Sequence, residues 1–249
     1  MRPRYLSLAA RVLVNVEALN AVEALGNIIR HRKATLVIER QSGNDVVYEI
    51  VKVPAASGEM LRHAYQSLLA DIAHQLGLPV CEWCRRHEFI KSGVEALIEE
   101  DVKRAEGLLG RELAIMKKCV VEDVGGFLAP LNPPVRRSSR FLVSYLVPAV
   151  EDLKFGVDLQ FHTRNAPTAQ SRLGVGERES AQSVYNRESA SALYTFTFFL
   201  DISTIGVPTN CIGEECTKNV LKDKAERVKA AVLALGELLK GINVGGARS

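Results

Sequence analysis

Between Arg11 and Lys33 the chain changes its period. Val12, Val14, Val16 and Ala18 fall on one face, with Arg11, Asn15 and Glu17 on the other. That two-residue repeat predicts a half-buried strand. The alternation then stops, passes through Asn20, Gly26 and Asn27, and ends in Arg30-His31-Arg32-Lys33. Four cationic or potentially cationic side chains in a row repel one another, so a loop facing water or an anion is expected there. A solvated surface is the commoner use of such a run. A strand feeding a basic loop is also a phosphate-binding arrangement.

Further along, residues 34–39 and 45–53 read as two strands joined by Gln41-Ser42-Gly43-Asn44, a hairpin over 34–53. Ser57 and Glu59 then suit the start of a helix, and Gly77 suits its end. Leu61, Ala64, Leu68 and Ile72 form its apolar stripe, widened by Tyr65 and Leu69. Free N–H groups at Ser57-Gly58 suit a phosphate, with Arg62 and His63 one turn in. The bland alternative is a capped core helix. Residues 81–118 read as a helical insertion lying against a sheet. Gly125-Gly126 signals a turn or a close approach. Pro133-Pro134-Val135-Arg136-Arg137-Ser138-Ser139-Arg140 offers guanidinium and hydroxyl groups on a stiff turn, which suits phosphate oxygens or a plain surface loop, and leads into a strand over 141–147.

A short strand over 158–164 carries His162 and Arg164 near its end. Residues 165–187 are rich in Gly, Ser, Gln and Arg and hold little that packs, which points to a flexible or binding segment. Tyr194, Phe196, Phe198 and Leu200 share one face of a clear strand over 191–200. Four apolar residues at period two read as core rather than as a base-stacking platform. A helix over 218–240 closes the pattern, with Leu221, Ala225, Val228, Val232, Leu235 and Leu239 inward and Lys222, Lys224, Arg227 and Lys229 off that stripe. The order of elements predicts one α+β domain over 1–249 with insertions.

Composition narrows the function classes. The chain has 249 residues, 47% hydrophobic and 24% charged, with a net charge of +3. That length is enough to bury a core, and so small a net charge implies no polyanion partner by itself. No apolar run approaches the roughly 20 residues that span a bilayer, and the N-terminus lacks an apolar signal region, so no membrane partner and a cytoplasmic site are expected. Of five Cys, Cys81-x-x-Cys84 and the pair Cys211 and Cys216 offer four thiolates for a zinc ion, but at loose spacing and more than a hundred residues apart. Reduced thiols are the expected state, with no metal and no cofactor. A disulfide would fit a hyperthermophilic source.

Together the motifs have a recognisable order. They run from Val12 through Asn-Val-Glu-Ala-Leu-Asn to Gly26-Asn27 and His31-Arg32, then Ser57-Gly58-Glu59…His63-Ala64-Tyr65-Gln66 and Val124-Gly125-Gly126-Phe127. Pro134-Val135-Arg136-Arg137-x-Ser139-Arg140, Gln160-Phe161-His162 and Ser191-Ala192-Leu193-Tyr194-Thr195-Phe196 follow. From about Leu8 to Arg248 the chain resembles the CRISPR Cascade backbone subunit of the archaeal type I-A branch, of the DevR-like, RAMP-type superfamily. The resemblance implies an RRM- or ferredoxin-like palm (βαββαβ-type antiparallel sheet), the hairpin and helical insertions, and a thumb over 165–187 that reaches a neighbouring copy. It implies copies stacked along CRISPR RNA into a helical filament with other Cascade subunits, presenting the guide to target DNA without cutting it. By position it makes His31, Arg32, Ser57, Gly58, Arg136 and Arg137 candidates for gripping the guide, with Arg62 and His63 near the same helix start and Asn20 and His162 in matching motifs. Arg30, Arg140 and Arg164 extend these clusters. The family continues beyond the turn matched by Gly245-Gly246 into a final strand, which this chain is expected to lack.

Two rivals stand beside that reading. A metal-independent endoribonuclease of the same superfamily, processing CRISPR RNA, would draw acid–base chemistry from His31, His63 and His162. A zinc-stabilised interaction module would rest on the two Cys pairs.

Overall fold

The computed structural model describes residues 4–14, 21–25, 28–149, 158–165, 182–189 and 191–241. It is an α+β protein whose sheets are mostly antiparallel. Two compact units divide the chain: Met1–Ala9, Glu59–Ser144 and Thr197–Val244 form one, and Ala10–Gly58, Tyr145–Phe196 and Gly245–Ser249 the other.

One sheet uses β1 (Leu6–Val14), β8 (Phe141–Val143), β9 (Val147–Pro148) and β12 (Ala192–Leu200), in the order β1-β12-β8 with β9 also on β12. Along β12 Ala192, Tyr194, Phe196, Phe198 and Leu200 are buried, the period-two face expected of core. Where one strand was expected over 141–147, two short ones pair with different ends of β12: Leu200 opposes Phe141, and Tyr194 opposes Pro148.

In the first unit, α1 (Gly58–Gln75) buries Leu61, Ala64, Tyr65, Leu69 and Ala73. Tyr65 meets Phe141 and Phe198 at ring separations of 4.5 and 4.9 Å, and its hydroxyl donates to Ala231 O at 3.0 Å. Ala231 belongs to the last described helix. The helical insertion is a series of short pieces: α2 (Glu82–Arg85), a 3₁₀ turn (Glu95–Leu97), α3 (Glu100–Arg104), α4 (Gly107–Lys118) and α5 (Val120–Gly125). Ile98, Val102, Ile115 and Met116 pack with Phe127, Ala129 and Val135 from the hairpin of β6 (Phe127–Ala129) and β7 (Val135–Arg137). Gly126 links α5 to that hairpin at φ 75°, and a Cβ there would lie 2.5 Å from Arg137 O, so only glycine fits.

The last helices are α6 (Glu214–Lys218) and α7 (Lys224–Lys240). The buried face of α7 is Arg227, Ala230, Ala231, Ala234, Leu235 and Leu238. This corrects the expected stripe, since Val232 and Leu239 are exposed and Arg227 is inside. Small alanines allow close approach to α1, and an interior carboxylate draws Arg227 in. That carboxylate is Asp123. Its Oδ1 accepts Arg137 Nη2 at 2.5 Å, and its Oδ2 accepts Arg227 Nη1 at 3.2 Å and Gly206 N at 3.0 Å. Arg137 also donates to Glu112 Oε1 at 2.8 Å and to the carbonyls of Asp123, Val207 and Thr204. Glu112 in turn accepts Thr209 N, Asn210 N and the side chains of both. Burial pushes the Glu112 carboxyl up, but those hydrogen bonds hold it below the usual range.

In the second unit, β2 (Ala21–Leu25), β3 (Ile28–His31), β10 (Asp158–Asn165) and β11 (Gln182–Ser189) form a sheet in the order β10-β11-β3-β2, parallel only between β11 and β3. The hairpin is as expected, β4 (Lys33–Ser42) against β5 (Asp45–Pro54). Arg30-His31-Arg32-Lys33 is not the expected basic loop. It ends one strand and starts the next, and His31 is buried. Within β3 alternation turns Arg30 out and His31 in, and Arg32 lies between the strands before exposed Lys33 opens β4. Of the segment expected to be flexible, residues 166–181 lie outside the described residues and 182–187 belong to β11.

Arg137 and Asp123 are both fully buried, so removing one partner strands the other charge. Arg137→Ala is expected to lower stability by about 3–5 kcal/mol in urea denaturation. A loss within about 0.5 kcal/mol, the range of ordinary surface changes, would show the pair to be dispensable.

Candidate nucleic-acid interface

Each unit carries basic residues expected to meet RNA. In the second unit, Ala55 N donates to Arg32 O at 2.8 Å, and Ala56 bridges to Leu146 through two 3.0 Å bonds. The exit of β3 is thereby held beside the segment that delivers Ser57 and Gly58 to the start of α1. The basic run and the glycine-led helix start, far apart in sequence, lie together. Arg30 is exposed and Arg32 half-buried, while Ser57 is buried. His31 Nδ1 lies 2.9 Å from Arg32 O. His162 stands opposite Tyr185 and Arg164 opposite Ser183 in the β10–β11 ladder. Asn20 lies outside the described residues.

The first unit sorts its candidates sharply. Arg137 is corrected from a phosphate contact to an interior residue: its side chain is fully buried and answered by Asp123, Glu112 and three carbonyls. Arg136, one residue away on β7, is exposed. Arg140 is half-buried, and its Nε and Nη2 have no hydrogen-bond acceptor among the described residues. Burial, with Arg137 nearby, pulls its guanidinium down to about 10. Donors withdrawn from water without an acceptor are costly, and a phosphate oxygen would satisfy them.

Arg62, a candidate from its place near the helix start, has a cationic neighbour in Lys91. Arg62 Nη2 donates to Gly125 O at 3.1 Å, and Lys91 Nζ reaches the same carbonyl at 3.3 Å. Arg62 also lies over the Phe141 ring at 5.7 Å and 3.6 Å from Glu59. His63 is exposed and packs edge-on against Phe89 at 5.0 Å. Lys91 sits in the helical insertion with no sequence pattern marking it. Two cations on one carbonyl repel each other, and an anion would relieve that.

Cys211 and Cys216 are joined in a disulfide, which corrects the expectation of reduced thiols and removes them from a four-Cys zinc set with Cys81 and Cys84. Cys81 and Cys84 instead gather with Cys119 and Glu122. No helix among the described residues is long and apolar enough to cross a membrane.

This is a mixed α+β protein with basic strand ends and turns, and its relationships agree with the motif order. The chain belongs to the family described as "CRISPR-associated negative auto-regulator DevR/Csa2", matched over residues 8–249. It is 41% identical to "CRISPR-associated aCascade subunit Cas7/Csa2 2" of Saccharolobus solfataricus, covering 97% of this chain and 73% of that one. It is 38% identical to "CRISPR-associated protein Cas7/Csa2 1" of the same organism, over 95% and 73% of the two chains. Among solved structures, it is similar to a chain of a "CRISPR RNA-guided surveillance complex, pre-nicking", at a TM-score of 0.47 and 10% identity over 92% of this chain and 71% of that one.

Burial, reinforced by Arg62, pulls the Lys91 ammonium down to about 8. A lysine lowered on folding leaves the unfolded chain holding more protons between that value and about 10.4, so stability is expected to rise with pH across this window. Urea denaturation of wild type and Lys91→Met at about pH 7.5 and about pH 9.5 checks this. Wild type should gain on the variant at the higher pH; equal changes would mean the ammonium is solvated.

Proposed function

We propose that this chain is a non-catalytic backbone subunit of an archaeal type I-A Cascade. Copies polymerise along CRISPR RNA and present it for pairing with target DNA beside other Cascade subunits. The observation that carries the reading is the family match over nearly the whole chain. On it, the β1-β12-β8 sheet with α1 and α7 corresponds to an RRM-like palm, and the β4–β5 hairpin and residues 165–187 serve as projections.

The chemistry fits a sequence-blind grip. A filament that accepts any guide must hold phosphate and sugar rather than base edges. Arg30, Arg32, Arg136 and Arg140, the Ser57–Gly58 helix start, and Arg62 with His63 offer donors of that kind. His162, Arg164 and Asn20 join them by motif position. Such interactions are weak singly, but copies linked along one strand multiply them. Self-association is supported by the hairpin, where Val37, Tyr48 and Ile50 are each about two-thirds exposed or more.

Arg136→Ala with Arg140→Ala is expected to weaken binding to all RNA sequences alike. It should flatten the slope of log affinity against log salt by about 0.7 for each phosphate that is no longer neutralised. A titration by fluorescence anisotropy at several salt concentrations reads both, with RNA integrity followed on a denaturing gel. A sequence-selective loss would exclude the phosphate role, and cleavage by wild type would exclude the non-catalytic one.

Tyr48→Asp with Ile50→Asp is expected to leave circular dichroism unchanged and convert large RNA-laden assemblies into small ones on a sizing column. Unchanged assembly size would remove the hairpin from the interface between copies.

A further inference from the structure

We propose that Cys81, Cys84, Cys119 and Glu122 bind one structural zinc ion. The first two form Cys-x-x-Cys, and the second two repeat the spacing as Cys-x-x-Glu. Cys81 precedes α2 and Cys84 lies within it, while Cys119 joins α4 to α5 and Glu122 lies in α5. Val120 N donates to Pro79 O at 2.9 Å, which clamps the two short segments side by side.

The ligand atoms fit one ion. The three Sγ atoms and one Glu122 oxygen all lie within 4.8 Å of one another. Cys81 Sγ is 3.7 Å from Glu122 Oε1. Tetrahedral zinc with sulfur at ~2.3 Å and oxygen at ~2.1 Å would place that pair ~3.6 Å apart. The other carboxylate oxygen, Oε2, accepts Ser92 Oγ at 2.6 Å, which fixes its orientation as outer partners do at metal sites. Cys84, Cys119 and Glu122 are buried. No Lys or Arg forms an ion pair with Glu122 among the described residues, and Lys91 turns to Gly125 O instead. A divalent cation bonded to the Glu122 carboxylate would answer its burial more directly than Lys91, which acts on it electrostatically without an ion pair. Three thiolates and a carboxylate select zinc over magnesium or calcium, and four protein ligands make a closed site with a structural rather than catalytic role. Binding forms three Zn–S bonds and one Zn–O bond and releases the thiol protons to solvent. A cavity of about 510 Å³, lined by Cys81, Ser92, Glu122 and Lys118 among others, gives the ion a way in.

The site has something to hold. Between Cys84 and Ser92 the chain places His87, Phe89, Lys91 and Ser92 at positive φ, from 40° to 60°. None is glycine, so this loop needs anchoring from outside itself. Zinc would pin it through Cys84 at one end and through Ser92 on Glu122 at the other.

The test uses the full chain, purified under reducing conditions and dialysed. Metal analysis should find one zinc per chain. Replacement by cobalt(II) should give the thiolate-to-cobalt charge-transfer band and the visible bands of a tetrahedral site. Cys119→Ser should lose the band. Ser92→Ala, which keeps all four ligands and perturbs the fold least, should weaken zinc about 10–100-fold in competition with a chelator. Cys211→Ser should retain it. No zinc above trace and no cobalt–thiolate band in wild type would overturn the proposal, as would a band that survives Cys119→Ser. A Cys81–Cys84 disulfide found by peptide mapping of the protein as purified, before any further treatment, would also overturn it, assigning the pair to redox chemistry instead.

Discussion

Asp123 is the group on which the first unit depends. Its carboxylate and main chain take hydrogen bonds from Arg137 on β7, from Arg227 on α7 and from the Gly206 amide. It thereby joins the helical insertion, the β6–β7 hairpin, the loop after β12 and the last helix. Glu112 doubles the arrangement by receiving Arg137 and tying the Thr209–Asn210 backbone. Two acids face two guanidinium groups, so the interior charge balances. Such a network need not add much stability over an apolar core of equal volume, because desolvation opposes the attraction. Its directional bonds do bring these four elements together in one arrangement, and losing a single member leaves an opposite charge buried.

That constraint decides which arginines remain for other work. On β7 successive side chains alternate, so Val135 and Arg137 turn inward and Arg136 turns out. Neighbouring residues of one basic cluster therefore have different roles: Arg137 is consumed by folding, and Arg136 faces solvent. Within β3 the same alternation separates exposed Arg30 from interior His31. Counting charges in a run treats these residues as equivalent, whereas strand register separates them.

Much of the fold was legible where apolar periodicity was strong. The aromatic face of β12, the β4–β5 hairpin and the extent of α1 follow directly from residue spacing. The buried face of α7 did not, since alanines carry little apolar signal and Arg227 is inside only because Asp123 waits there, 104 residues earlier. The candidate site was legible mainly through the order of its motifs. Nothing local to Pro133–Arg140 reveals that Asp123, embedded in Val-Val-Glu-Asp-Val, will claim Arg137. Cys119 stood alone in sequence, and its grouping with Cys81 and Cys84 becomes visible only when Val120 pairs with Pro79.

A physical distinction follows between structural and available cations. Arg137 has acceptors from carboxylates and carbonyls and needs nothing further. Arg140 keeps two donor nitrogens out of water without an acceptor among the described residues, and Arg62 and Lys91 crowd one carbonyl oxygen. These groups already bear much of the desolvation and repulsion that anion binding would otherwise impose. A phosphate arriving there gains charge-assisted hydrogen bonds while the protein rearranges little. On the proposed function, cations left incomplete by the fold are better placed to hold a phosphate than cations extended freely into solvent, whose side-chain entropy and hydration must still be given up on binding.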